Sequence, residues 1–111
     1  MPAETLAQYE KIVATIPGLE RKGASVPYTS LNGNMFSFLE ADGTLALRLS
    51  KEDREEFINR FNSRLHTAYG IVQKEYVDVP ATLLHSTAEM SRYFARSYEY
   101  AKTLKSKPTK R

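Results

Sequence analysis

The chain has 111 residues, of which 41% are hydrophobic and 26% charged, and this balance is typical of a single globular domain with a core of its own. It contains no cysteine, which excludes disulfides, a thiolate nucleophile and cysteine-held zinc or iron–sulfur sites. The formal net charge is +3, and neither a signal-peptide pattern nor an apolar run of membrane-spanning length occurs, so we expect a cytoplasmic protein without membrane contact.

The positive charge is concentrated at the end of the chain. Five of the 16 basic side chains lie among residues 102–111, which contain no acidic residue. Residues 1–101 therefore combine 11 basic with 13 acidic side chains, for a net charge of −2. We expect one domain over residues 1–104 and a flexible basic tail over residues 105–111. Attraction to polyanions would come from that tail or from a local patch.

The predicted elements begin with a helix from about Ala3 to Ile16. Tyr9, Val13 and Ile16 recur at spacings of three and four residues, which places them on one helical face. Pro17-Gly18 is expected to end this helix. A loop should follow, because Pro27 cannot donate a hydrogen bond within a central strand.

A three-stranded meander is predicted next. Its strands are Tyr28–Leu31, Met35–Leu39 and Thr44–Leu49, and the connections are Asn32-Gly33 and Asp42-Gly43. Both dipeptides tolerate positive φ, so each indicates a tight hairpin turn. The third strand alternates leucine with smaller or polar residues, as a half-buried antiparallel strand does.

A second helix is predicted to begin after Ser50. Asp53 follows three residues later, which resembles a capping box, and the clustered carboxylates suit the positive end of the helix dipole rather than catalysis. Phe57, Phe61 and Leu65 recur every four residues, so this helix is expected to end near Leu65.

A weaker strand pair follows, predicted at Tyr69–Val72 and Tyr76–Val79 with a turn at Gln73–Glu75. Pro80 should close the second strand. Residues 81–84 are expected to form one helical turn, and the last helix is expected to start from a capping box formed by Ser86 and Glu89. The predicted class is α+β, in the order α-β-β-β-α-β-β-α, with a five-stranded antiparallel sheet and helices on one face.

The sequence offers little catalytic chemistry. His66 and His85 stand alone, and each is expected at the surface rather than in a metal site. No nucleophile elbow, phosphate-binding loop or dinucleotide-binding glycine motif occurs. We therefore predict no enzymatic activity and no catalytic, cofactor-binding or metal-binding residue.

Candidate partner contacts are basic and aromatic. Tyrosines beside cations can stack on unpaired bases, although they can equally pack at the edge of a helix–sheet contact or against a second copy. A short basic step in a loop could contact phosphate. The candidate residues are Arg21, Lys22, Tyr98, Tyr100, Lys102, Lys105, Lys107, Lys110 and Arg111.

Four segments carry a resemblance to a known family. They are NGNMFSFLEADGTLALRL (32–49), SKEDREEF (50–57), EYVDVP (75–80) and SYEYAKTL (97–104). This pattern resembles the N-terminal domain of TfoX, a family of bacterial competence regulators, and is more loosely similar to MmcQ/YjbR-like proteins. Where that family usually has Met-Phe-Gly, this chain has SVPYTSL (25–31). The resemblance implies a fold similar to secretion chaperones, a tendency to pair, and a regulatory or DNA-associated role without a catalytic centre.

Three functions follow as hypotheses. The first is a non-enzymatic regulatory or interaction module. The second is a chaperone-like, protein-binding homodimer that uses an open sheet face, from which either Phe36 with Phe38 or Met35 with Leu39 would project. The third is a small-ligand binder with a pocket lined by tyrosines of the sheet, Tyr28, Tyr69 and Tyr76.

Overall fold

The computed structural model describes residues 3–106, so Lys107, Lys110 and Arg111 lie outside the described residues. The predicted α+β class and the order of elements are confirmed, and the helical turn expected at residues 81–84 is α3. The elements are α1 (Ala3–Val13), β1 (Tyr28–Leu31), β2 (Asn34–Leu39), β3 (Leu45–Arg48), α2 (Lys51–Phe61), β4 (Leu65–Ala68), β5 (Ile71–Val79), α3 (Ala81–Leu84) and α4 (Thr87–Thr103).

The five strands form one antiparallel sheet in the order β1-β2-β3-β5-β4, with the helices on one face. The main core lies between that face and the helices, and burial of its apolar surface is the principal stabilising contribution. The two ends of the chain meet in this layer. Gln8 of α1 donates from Nε2 to the carbonyl oxygen of Leu84, at 2.8 Å, and to Oγ1 of Thr87, at 2.9 Å.

A β-bulge in β2 decides which side chains face the helices. Thr29 is paired with Ser37 and Ser30 with Met35, so Phe36 is an extra residue between them. Phe36 packs in the main core, and the next residue, Ser37, also points towards α1, where its Oγ lies 2.7 Å from the hydroxyl of Tyr9. Strict alternation is therefore wrong for this strand.

The bulge also determines which residues of β2 face away from the helices. Phe38 lies on the helix-free face with Ala46 and Tyr76, and Met35 is exposed. Phe36 and Leu39 are both buried in the main core. One residue from each of the two expected pairs therefore projects from the helix-free face.

Two of the predicted turns differ from each other in the structure. Asn32 and Gly33 have φ of 54° and 80°, as the tight hairpin requires. The second hairpin is wider, because the N–H of Glu40 bonds to the carbonyl of Thr44 and encloses three residues between them. Asp42 accepts the N–H of Thr44 with its side chain, which stabilises this wider loop.

The helix ends also differ from the sequence prediction. The first helix ends at Val13 rather than Ile16, and the second at Phe61 rather than Leu65. Asn62 takes a left-handed conformation with φ of 51°, and its N–H bonds to the carbonyl of Ile58, which terminates α2. Leu65 is therefore free to begin β4.

Of the two predicted helix caps, one is confirmed and the other is wrong. The predicted cap of α2 is confirmed, because Oγ of Ser50 accepts the N–H of Asp53 at 3.3 Å. The predicted capping box of α4 is wrong. The hydroxyl of Ser86 instead donates to the carbonyl of Thr82, so it stabilises α3 rather than the next helix.

The last hairpin turns at a different place from the prediction. The turn is Tyr69-Gly70, with φ of 54° and 72°, and β5 runs without interruption from Ile71 to Val79. The expected strand at Tyr69–Val72 and turn at Gln73–Glu75 are therefore wrong. Because α2 ends early, Leu65–Ala68 can pair with β5. The turn therefore lies at residues 69–70, earlier in the sequence than the predicted turn at residues 73–75.

Gly23 shapes the loop that precedes β1. Its φ is +88°, and an added Cβ would lie 2.2 Å from the carbonyl oxygen of Val26. We expect Gly23→Ala to lower the free energy of unfolding by more than about 1–2 kcal/mol, the cost of a left-handed alanine, because a clash with backbone is added.

Urea denaturation of Gly23→Ala and Gly18→Ala would measure this cost. Gly18 has a similar φ of +81°, with nothing within 4 Å of its added Cβ, so it isolates the conformational part. Equal losses in the two variants would contradict a role for the close approach to Val26.

Candidate binding surface

Three of the candidate contact residues lie together at one end of the molecule. Lys22 and Tyr98 line an open cavity of about 330 Å³, together with residues 17–20 and the end of β1. Nζ of Lys102 lies 4.9 Å from the centre of the Tyr98 ring, in a cation–π contact. Side chains separated by about 80 residues of sequence are thus neighbours in space. We call Lys22, Tyr98, Lys102 and Lys105 the basic surface.

The fold holds Lys22 and Tyr98 in place. The backbone of Lys22 exchanges two hydrogen bonds with Tyr28, of 2.7 and 2.9 Å, so the loop is attached to the edge of β1. The ring of Tyr98 packs edge-on against Phe36, with centres 5.9 Å apart. Both positions are therefore set by the sheet.

Lys105 reaches the same end of the sheet. Nδ2 of Asn34 donates to the carbonyl oxygen of Lys105 at 2.9 Å. Asn34 is buried and is the strand partner of Leu31, which lines the cavity beside Tyr98. The first residue of the predicted basic tail is thus bound to β2 through its backbone, and its side chain is exposed.

The tyrosines offer little free ring surface for base stacking. Tyr98 has Phe36 on one side and Lys102 over its ring. Tyr100 lies elsewhere, in an open groove of about 400 Å³ between the start of α2 and α4, and its hydroxyl donates to Oε2 of Glu75 at 3.1 Å. Burial and this bond to a carboxylate raise the pKa of Tyr100. The basic surface therefore presents ammonium groups rather than open aromatic faces.

Arg21 is separated from the basic surface by its contacts. Its Nε lies 2.9 Å from Oε2 of Glu10, and Nη1 donates to the carbonyl of Gly23. Its charge therefore attaches the loop to α1. Lys102 also has a carboxylate neighbour, Glu99 at 3.0 Å, but this pair is exposed, and exposed pairs contribute little and exchange readily.

A polar cluster that the sequence did not predict lies on the helix-free face around His66, and we call it the His66 cluster. His66 is buried, its Nδ1 lies 2.6 Å from Oδ1 of Asp78, and its Nε2 lies 2.9 Å from Oε2 of Glu40. Its ring packs edge-on against Phe38. The expected surface position is wrong for His66, whereas His85 is exposed as expected.

The His66 cluster consists of one histidine ring held between two carboxylates. Burial lowers the pKa of His66, but the bonds to Asp78 and Glu40 outweigh burial, and the pKa is raised. When His66 is protonated it donates from both nitrogens, and neither is then available to take a proton from a substrate. Within residues 3–106, no group of three histidine or carboxylate side chains is arranged to hold a metal ion.

The helix-free face is not an open apolar surface. Only 8% of Phe38 and 9% of Tyr76 is exposed, and the two rings lie 5.2 Å apart. The guanidinium of Arg48 covers Tyr76 at 5.8 Å and donates to the carbonyl of Met35, as does the hydroxyl of Tyr76. Long polar side chains thus cover the face on which the chaperone-like hypothesis depends.

The tyrosines expected to line a ligand pocket are dispersed. Tyr28 and Tyr76 pack in the cluster around Phe38, whereas Tyr69 lies at the tip of the β4–β5 hairpin with its side chain in solvent. The geometry therefore gives no support to a shared ligand pocket.

Comparisons with family models, with curated proteins and with solved structures found no match to this chain. Among the helices of residues 3–106, none has the length and apolar character needed to cross a membrane.

Proposed function

We propose that this chain is a non-enzymatic interaction module of the cytoplasm that contacts nucleic-acid phosphates through the basic surface. The observation that carries the proposal is the convergence of Lys22 from the loop and Lys102 from α4 beside Tyr98. The TfoX-like pattern of turns and strands supports a regulatory role of the same kind. Lys107, Lys110 and Arg111 follow in the sequence and add three positive charges to the chain.

The geometry favours phosphates over bases as the contact. Lysine ammonium groups bind phosphate oxygens without reading sequence, and each neutralised phosphate releases counterions. Stacking on unpaired bases would require Tyr98 to expose a ring face that Lys102 now covers. We therefore expect duplex DNA to bind at least as well as a single strand of equal length.

The test is fluorescence anisotropy with labelled duplex and single-stranded DNA across a salt series. For the intact chain, the logarithm of the affinity should fall linearly with the logarithm of salt, with a slope of about −0.9 per phosphate contacted. Lys22→Ala combined with Lys102→Ala should make this slope shallower by about two units. A chain truncated after Ser106 should lose the contribution of the last five residues and keep that of the basic surface.

The matched control is Lys51→Ala combined with Lys74→Ala, which removes the same charge from exposed positions elsewhere. This pair should change the slope much less. Absence of binding at low salt, or equal losses in the two double variants, would rule out the basic surface as the contact.

The homodimer hypothesis needs a different surface from the one first expected. The helix-free face is covered by Arg48 and Tyr76, so a partner would find little apolar area there. Another part of the sheet does expose apolar side chains, at the tip of the β4–β5 hairpin.

A further inference from the structure

The β4–β5 hairpin extends past the end of β3. Pairing of β3 with β5 covers Tyr76–Val79 and ends with the bond from the N–H of Leu49 to the carbonyl of Glu75, because the chain turns into α2 at Lys51. Residues 71–73 therefore have β4 as their one partner strand within the described chain, and the register between β4 and β5 shifts between Gln73 and Val77. We call residues 66–74 the arm.

The arm presents apolar side chains to solvent. Tyr69 is 99% exposed, Ile71 65% and Val72 49%, and these are three of the five large exposed hydrophobic side chains in residues 3–106. Residues 67–73 contain no charged side chain. Such a concentration of exposed apolar groups within four residues indicates a contact surface.

The turn of the arm places a tyrosine in a strained backbone conformation. Tyr69 adopts φ of 54°, a conformation that asparagine or glycine accepts far more readily. The β1–β2 turn of the same sheet uses Asn32-Gly33 at equivalent angles. The Tyr69 ring makes almost no contact inside the protomer to offset this strain. Strain of this kind is typical of residues held for an external contact.

The backbone of the arm has an unpaired edge. In a two-residue hairpin the residues flanking the turn, Ala68 and Ile71, exchange hydrogen bonds across it. The N–H and C=O of the next residue, Val72, then point away from β4. Natural edge strands are usually protected by lysine, proline or a bulge. Residues 71–73 contain neither lysine nor proline, and the register irregularity between β4 and β5 begins beyond them, after Gln73.

We propose that two copies of this chain associate through the arm, with their β5 edges antiparallel about a two-fold axis at Val72. An antiparallel edge is complementary to a rotated copy of itself, as a two-fold interface requires. This register sets Val72 against its own copy and Gln73 opposite Ile71, so no like charges meet. The uncharged tip offers nothing to a nucleic acid or to a strongly charged protein. The proposal stands apart from the DNA contact, because the basic surface lies beside β1, at the opposite edge of the sheet from β4. It gives the homodimer hypothesis a specific element.

The area available makes the dimer weak. The three exposed side chains of each copy can bury well under the roughly 1,600 Å² of a standard interface. Association should therefore depend on concentration, and the dimer fraction should rise through the micromolar range and above.

Sedimentation velocity of the full chain, from about 10 µM to 1 mM, tests the proposal without any ligand. The unmodified chain should shift from monomer to dimer over this range. Val72→Lys places two cations against each other at the axis and should weaken association at least tenfold. Val26→Lys is the matched control, because Val26 is also exposed but lies outside the arm, and it should associate like the unmodified chain.

Tyr69→Asn separates association from folding. Asparagine relieves the strain of the turn while removing the exposed ring, so this variant should melt at a higher temperature as a monomer and yet associate more weakly. A chain that stays monomeric throughout, or Val72→Lys that dimerises like the unmodified chain, would overturn the proposal. A monomer that instead sediments with phosphatidylcholine vesicles would overturn it in favour of a lipid contact.

Discussion

Phe36→Ala should lower the free energy of unfolding by about 3–5 kcal/mol, the usual cost of deleting a buried aromatic ring. Phe36 is fully buried, and its ring packs against Phe94 at 5.5 Å and Tyr98 at 5.9 Å. The bulge places it under α4, so its removal opens a cavity between the sheet and that helix. Urea denaturation followed by circular dichroism measures the loss.

Met35→Ala is the neighbouring control in the same strand. Met35 is exposed, so its truncation should cost about 1 kcal/mol or less. If the strand alternated without a bulge in the opposite phase, Met35 would be the buried residue and the two costs would be reversed. Similar costs for both variants would therefore contradict the bulge described here.

The stability of the protein should fall as pH rises above about 6.5, because of the His66 cluster. The pKa of His66 is raised above its ordinary value of 6.5, so the folded state binds this proton more tightly than the unfolded state does. The resulting stability is fully present below about pH 6.5 and is lost as pH rises through the folded-state pKa. His66→Gln should remove this dependence and cost about 1–3 kcal/mol at pH 6, because bonds to charged carboxylates are lost.

The measurement is a set of urea denaturation curves between pH 5.5 and 8.5 for the unmodified chain, His66→Gln and His85→Gln. The buried ring of His66 faces Glu40 and Asp78, with Asp42 and Arg64 nearby in the same polar cavity. His85 is exposed, so its variant should keep the pH dependence of the unmodified chain. A loss of pH dependence in His85→Gln, or its survival in His66→Gln, would assign the titration to another group.

Local chemistry in the sequence was sufficient for the first half of the sheet. Asn32-Gly33 accepts positive φ at both positions, and the alternating leucines of β3 all face the core, so turn and strand signals agree. The second half failed at two residues. Asn62 and Tyr69 both adopt left-handed backbone conformations. Neither an asparagine after a helix nor a tyrosine before a glycine is a strong enough sequence signal to predict such a conformation.

The sequence identified the basic and aromatic residues of the candidate surface but not their positions relative to one another. The fold determines which of them lie together. Lys22 and Lys102 converge because a loop pairs with β1 while α4 crosses the same end of the sheet. Arg21, next to Lys22 in sequence, turns to Glu10 instead. The His66 cluster was beyond sequence reasoning, because His66 lies 12 residues from Asp78 and 26 from Glu40, and the misplaced hairpin put it at a helix end.

The hydrogen bonds of Gln8 to Leu84 and Thr87 join residues separated by more than 75 positions. The helical layer over the sheet is therefore completed by α1 together with α3 and α4. During synthesis, α1 and the three-stranded meander emerge from the ribosome long before the α4 residues that cover them. Their apolar faces stay uncovered over that interval, so the core of this domain is completed only after α4 has been translated.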